Sequence, residues 1–359
     1  MAGRKTPLES PEKSTSLDGP AAVLDTCQED YAPCTCNSQS IGTNPPYLVV
    51  DCTAAPSFAS VQAVFRRTSA MNIKYFYFAI PPSEVNNTVP ADLLSGKSAQ
   101  WISITCPSTA TKLKIDPTAF NSSQDYVGLI KITLCDLSQL DHQFVANLHV
   151  LTELQYLSST NVDSQWQSLP ALPSLVTLLI EYSPDFESFQ NLPLSNIPAL
   201  RQLSINFCPK FQFLPVLPLL TTLTINSCPL FESLPLTPLL TTLRIISCPL
   251  FSQWDVVAQL TKLATLSLVG FDNETINTVL DSIVSLPIVS FTISSNGLTQ
   301  VPPQIQQFSQ LEILDLKDNK ISAARNGSIA FAKMPRTLDL TYNELTTIEP
   351  AAFQGLCCI

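Results

Sequence analysis

The chain has 359 residues, only 13% of them charged against roughly 25% in ordinary soluble domains, and 29 acidic against 19 basic residues set a net charge of −10. No run of Lys or Arg tracks along any segment, which argues against a nucleic-acid groove or an anionic-membrane patch, and no apolar stretch approaches the roughly 20 residues that span a bilayer. The only two histidines, His142 and His149, leave imidazole-based acid/base or metal chemistry almost no material; both read as surface or capping residues, and neither a cofactor nor a metal is expected.

Residues 1–26 are polar and proline-containing, lack the apolar core of a signal peptide, and read as a disordered leader. Four cysteines follow, Cys27, Cys34, Cys36 and Cys52. A Cys-x-Cys pair flanked by outlying cysteines suits a two-disulfide knot, because adjacent extended residues point to opposite sides and reach different partners. A four-cysteine zinc site would favour C-x2–4-C pairs, which this segment lacks, and free structural thiols are the remaining alternative. Sequons at Asn86, Asn121, Asn273 and Asn326 are candidate glycosylation sites and agree with an oxidising compartment. Since no signal peptide is visible, extracellular placement requires an incomplete amino terminus; a cytosolic chain is the alternative.

From Ile73 onward a frame of the form L-x-x-L-x-L-x-x-(N/C) recurs, most plainly from Leu220 to Cys228 and from Leu240 to Cys248. Its starts are Ile73, Ala99, Val127, Leu151, Leu175, Leu200, Leu220, Leu240, Leu263, Ile288, Leu311 and Pro335, twelve coils in all. Alternation along an extended strand sends the fourth and sixth positions inward, for example Leu203 with Ile205 and Leu314 with Leu316. The ninth position is a structural ladder, where a short polar side chain hydrogen-bonds the backbone of the turn leaving the strand. It reads Cys135, Cys208, Cys228 and Cys248, then Asn296, Asn319 and Asn343. Buried thiols are the reading for the three stacked cysteines Cys208, Cys228 and Cys248, which have no histidine or carboxylate at ligand spacing, although a bridge between neighbouring rungs is geometrically conceivable. Pro81 and Pro107 occupy the ninth position in the first two coils, so the register there is open to a slip and Cys106 is not placed.

The shortest coils carry proline-rich return arms that favour extended backbone over helix. The coil from Leu263 is longer, and Ile276, Val279, Leu280, Ile283 and Val284 recur at helical spacing, which predicts a helix over 275–285. The chain stops at Cys357, Cys358 and Ile359, where a thirteenth strand would start, so the last coil is expected to present an open edge.

The repeat frame, the four-cysteine segment and the motif of Ala352, Phe353, Gly355 and Leu356 together resemble an extracellular leucine-rich-repeat protein with a cysteine-rich N-terminal cap. The resemblance implies an α/β fold: a leucine-rich-repeat solenoid, or horseshoe, with a parallel concave sheet and a convex side that is mostly extended or turn with some short helices. It divides the chain into a leader (1–26), a cap (27–65) and about twelve repeats (66–359) without a C-terminal cap. It further implies the pairings Cys27 with Cys36 and Cys34 with Cys52, and recognition of a protein ligand or receptor on the concave face.

That face is set by the third, fifth, seventh and eighth positions. Its candidate partner-binding residues form two clusters, Tyr75, Tyr77 and Trp101 in the first coils and Glu181, Tyr182, Gln202, Asn206 and Phe207 in the fifth and sixth, followed by Asn226 and Arg244. Amphipathic aromatic residues on a rigid face are what binding hot spots use. The bland alternative is that the aromatics pack against neighbouring elements. The expected function is non-catalytic protein recognition by a secreted protein or receptor ectodomain, with no enzyme activity. An intracellular leucine-rich-repeat scaffold is the alternative, favoured by the missing signal peptide. A β-solenoid enzyme acting on polysaccharide would need clustered carboxylates, which only Glu153 and Glu181 approximate.

Overall fold

The computed structural model describes residues 27, 29–39, 47–69, 72–164, 166–329 and 335–352. The leader (1–26), Phe353 to Leu356 of the terminal motif, and Cys357 and Cys358 lie outside the described residues.

Among the described residues one sheet of 14 strands runs the length of the molecule. Its first two strands, Thr35–Gln39 and Tyr47–Cys52, are antiparallel, and every later neighbour is parallel, one strand per repeat frame. The pairings Ile73↔Ala99 and Trp101↔Leu129 keep the first coils in one frame, so Pro81 and Pro107 cause no slip. The strands pair strictly because their inward face is fixed by burial. Leu203, Ile205, Leu223, Ile225, Leu266, Leu268, Leu314 and Leu316 are sealed from solvent, and a one-residue slip would turn each of them outward. Leu338 and Leu340 in the last coil are only partly buried.

Both disulfides implied by the family resemblance are present: Cys27–Cys36 and Cys34–Cys52. Behind them lies helix α1, Phe58–Arg67, which the repeat frame did not predict. Ser57 starts it with a capping box, and Phe58, Val61, Val64 and Phe65 form its buried face. Arg67 donates to the carbonyls of Asp30 and Ala32 and so ties the helix to the cysteine-rich loop.

The ninth position forms the ladder. Cys135 at that position is bridged to Cys106 in the preceding coil, the cysteine that the spacing left unplaced. Cys106 sits one residue before the ladder position, directly after the strand Ser98–Thr105, where its Cα lies 5.1 Å from that of Cys135. Cys208, Cys228 and Cys248 are buried and unbridged. Each thiol donates to the carbonyl two residues before it at 3.2–3.4 Å. Burial pushes the Cys248 thiol up to about 12. The asparagines do more. Asn319 donates to the carbonyls of Ile293 and Leu316 and accepts the N–H groups of Asn296 and Leu298, linking two coils with one side chain. Ser159 and Ser183, fully buried, fill the rungs between Cys135 and Cys208.

Three residues past the ladder, Phe186, Phe211, Phe231 and Phe251 stack as a spine, with ring centroids 5.3, 5.7 and 5.5 Å apart and planes within 8° of parallel. The coils from Leu200 and Leu220 have no convex helix; the bridge Phe213↔Ser233 joins their arms, and Ser188↔Phe213 joins the first of them to the coil from Leu175. The coil from Leu263 carries α3, Asn273–Ile283, which starts two residues earlier than the periodicity indicates because Asp272 accepts from the Thr275 N–H as its N-cap. A short helix α2, Trp254–Val257, wedges Trp254 between Phe251 and Phe271.

One correction concerns His142. It is fully buried, stacked between Phe144 and Trp166, with Nε2 2.8 Å from the Tyr156 hydroxyl and Nδ1 3.3 Å from the Ser168 hydroxyl. Only His149 is at the surface, 3.1 Å from Asp125.

Candidate functional site

Tyr75 and Tyr77 alternate with the buried Phe76 and Phe78 in the strand Asn72–Ala79, and Trp101 is the cross-strand partner of Tyr75. Strand alternation therefore leaves all three aromatic side chains on the concave face. They meet there. Tyr75 packs edge-on against Trp101 at 4.8 Å and lies nearly parallel to Tyr77 at 6.4 Å. Tyr47 of the cap adds a fourth ring at 5.6 Å, with the Lys74 ammonium over it at 4.9 Å. The repeat frame starts after Tyr47, which is why it was missed. Tyr77 and Trp101 remain 37% and 41% exposed, so packing against the cap does not consume them.

Tyr75, Tyr77 and Trp101, with Ser103, Leu129, Lys131 and Gln155, line a cavity of about 170 Å³. Burial pushes the Tyr77 phenol above its usual range, helped by Tyr75, the Asp51 carboxylate and Tyr47, so the hydroxyl stays a neutral donor. On the floor Gln155 donates to Glu153 at 2.5 Å.

In the second cluster Tyr182 and Phe207 stack face to face, 4.5 Å between centroids and 5° between planes. The rings are 51% and 37% exposed. Both residues sit at the eighth position, where the backbone leaves the strand with positive φ in coil after coil: +49° at Ser158, +52° at Tyr182, +55° at Phe207 and +53° at Ser227. Glycine, serine and aspartate fill most of these positions, and a large ring there is costly for an L-residue, about 1–2 kcal/mol. Glu181 and Asn206 are register partners directly before the two rings.

The remaining candidates disperse. Gln202 lies at the opposite end of the Gln202–Asn206 strand, between Thr177 and Thr222. Asn226 is the cross-strand neighbour of Asn206, but its side chain accepts from Ser227. Arg244 stands one strand further on, flanked by Thr224 and Ser267.

The sequence reading also missed exposed apolar side chains on the return arms, Phe213, Val216, Leu219 and Leu236. Phe213, Val216 and Leu219 border two apolar depressions of about 350 and 340 Å³ beside Leu194. The signal was the Leu-Pro spacing of arms that no helix covers. Among the described residues no group of three or more metal-binding side chains occurs, and no helix is long and apolar enough to cross a membrane.

A family model described as Leucine Rich Repeat matches residues 335–356. Leucine-rich repeat-containing protein 3 of Mus musculus is 38% identical over 68 residues, 19% of this chain and 26% of the relative, and the Bos taurus protein of that name is 40% identical over the same shares. The matched segment thus spans about a quarter of those relatives' length. Among solved structures, an internalin from Listeria monocytogenes is similar at 15% identity, covering 81% of this chain and 94% of that one with a TM-score of 0.44. The Toll–Spatzle complex of Drosophila is similar at 14% identity, covering 89% and 52%, with a TM-score of 0.47. The TLR13–ssRNA13 complex is similar at 14% identity, covering 89% and 66%, with a TM-score of 0.32. The expectation of no nucleic-acid partner rests on charge alone. With every strand from Asn72 onward parallel and in one register among the described residues, and two disulfides bracing the strands before it, the chain folds as a leucine-rich-repeat solenoid with a cysteine-rich N-terminal cap.

Proposed function

We propose that the chain is a non-catalytic recognition module that binds a protein partner on its concave face, as a secreted protein or receptor ectodomain. The observation that carries this reading is the aromatic-walled cavity of Tyr75, Tyr77 and Trp101. A side chain that serves only the fold is buried by it, whereas these rings sit half exposed around a concavity of the size that takes one anchoring side chain. The three disulfides support an oxidising compartment. Asn86, Asn121, Asn273 and Asn326 are all exposed and all lie outside the strands of the main sheet, so glycans there would leave the concave face open.

The test is a binding screen of the full chain against a library of secreted and cell-surface ectodomains, repeated with Tyr77→Ala/Trp101→Ala and with Phe213→Ser on the opposite face. The expected result is a partner whose affinity falls at least about tenfold in the double variant and is unchanged by Phe213→Ser. A partner with the reverse sensitivity would refute the concave-face assignment. Non-reducing peptide mapping of the native protein checks the compartment. Bridged Cys27, Cys34, Cys36 and Cys52 with glycan on any sequon are expected, and free thiols with bare asparagines would establish the intracellular scaffold instead.

A further inference from the structure

The Tyr182–Phe207 stack has open outer faces. At the eighth position the flanking coils carry only Ser158 and Ser227, so no ring of a neighbouring coil covers the outer faces of the stacked pair, which stays 51% and 37% exposed. Coils in register are about 4.8 Å apart, and the rings already stack at that interval, so a further planar group over an outer ring face would continue the stack above a serine. The floor beside the stack is polar and unpaired: the Asn206 side-chain oxygen is shielded from solvent and has no hydrogen-bond partner among the described residues. Its register neighbour Glu181 supplies a carboxylate.

The surrounding edge is acidic. Glu181 and Asp185 both act electrostatically on the Cys208 thiol, directly after Phe207. Asp163 titrates above the usual carboxylate range because burial, and then the Asp185 and Glu187 carboxylates, disfavour its charge. Lys210 is already paired with Glu187 at 3.7 Å, and Arg244 lies on a strand two removed from Asn206.

We infer that the Tyr182–Phe207 stack is a receptor for an arginine side chain on a basic segment of the protein partner. A guanidinium is planar, stacks on an aromatic face, is weakly hydrated and donates in a fork, so it can cover a ring while bonding Glu181 and the Asn206 oxygen together. A lysine ammonium offers the charge without the plane or the fork. The net charge of −10 favours the approach of a basic segment at long range. This inference rests on the recognition reading above and adds the partner's chemistry.

Random peptides displayed on phage and selected on the full chain, then synthesised with a fluorescent label for polarisation titration, test it. The expected outcome is enrichment of arginine-containing sequences whose binding falls about tenfold on Arg→Lys substitution in the peptide. In the protein, Glu181→Gln weakens the same peptides several-fold and flattens their salt dependence, and Phe207→Gly abolishes binding while circular dichroism and Tm remain those of the parent. Enriched peptides without arginine, indifference to Arg→Lys, or full binding by Phe207→Gly would each overturn the assignment. Peptides lost in Tyr77→Ala/Trp101→Ala but retained by Phe207→Gly would overturn it while leaving concave-face recognition standing. If no selected peptide responds to either variant, both readings fall.

Discussion

A left-handed backbone closes most strands of the sheet, and at three positions, Tyr182, Phe207 and Tyr342, it carries a large ring where glycine would be easier. Phe207 at φ +55° and Tyr182 at φ +52° therefore oppose the local preference, and their mutual stacking offsets only part of the cost. Replacing Phe207 with glycine removes the ring and the strain together, so thermal denaturation is expected to show a stability change within about 1 kcal/mol of zero. The same change in a buried side chain gives the opposite result: Leu223→Ala at the sealed fourth position should cost about 2–5 kcal/mol in a denaturant titration. Asp163 gives a pH test. Its folded carboxyl titrates above the unfolded value, so the folded state binds the proton more tightly, and the stability this confers is present at low pH and lost as pH rises through the folded value. At pH 7 Asp163→Asn should thus stabilise, by less than about 1 kcal/mol since half of the group is solvent-screened, and the gain should vanish in acid below the ordinary carboxylate range.

At the scale of the element, neighbouring coils are tied by different chemistry along the arc. The Cys106–Cys135 bridge closes a separation of 29 residues between the second and third coils, and Cys106→Ser/Cys135→Ser should lower stability by about 2–4 kcal/mol, read as a shifted unfolding midpoint. In the middle the thiols of Cys208, Cys228 and Cys248 supply only weak donors, and the phenylalanine spine supplies the cohesion instead. Phe231→Ala, which interrupts the spine between two rings, is expected to cost about 3–5 kcal/mol and to make the three thiols accessible to an alkylating probe. Toward the carboxyl end asparagines replace the thiols, and their carboxamides bond backbone in two coils at once. For Cys135, ladder position alone does not disclose a partner one residue off register in the preceding coil.

As a whole the molecule is a one-dimensional stack, in which each coil is covered only by its neighbours. Stability should therefore grade along the chain. In the 359-residue protein the strand Thr337–Asp339, with Leu338 and Leu340 only partly buried, is expected to exchange its amide protons faster than Thr222–Asn226, whose flanking Leu223 and Ile225 are sealed, in a hydrogen-exchange time course. The same stacking gives the concave face its rigidity, because the side chains on it alternate along each strand with buried ones that anchor the backbone.

The amino-acid sequence by itself determined the repeat, its register, the inward residues and the ladder, because each follows from a period-2 strand recurring at a nearly fixed interval. Which candidate side chains act together was a matter of tertiary structure. Tyr75 meets Trp101 and Tyr182 meets Phe207 because in-register strands bring equivalent positions within about 5 Å, while Gln202 and Arg244, on the same face, are placed apart. Helix α1, the ring of Tyr47 in the aromatic cluster, the burial of His142 and the Cys106–Cys135 bridge likewise arose only on folding. None belongs to the periodic frame, and all but the locally capped helix α1 depend on residues far apart in sequence whose proximity is decided by how coil packs on coil.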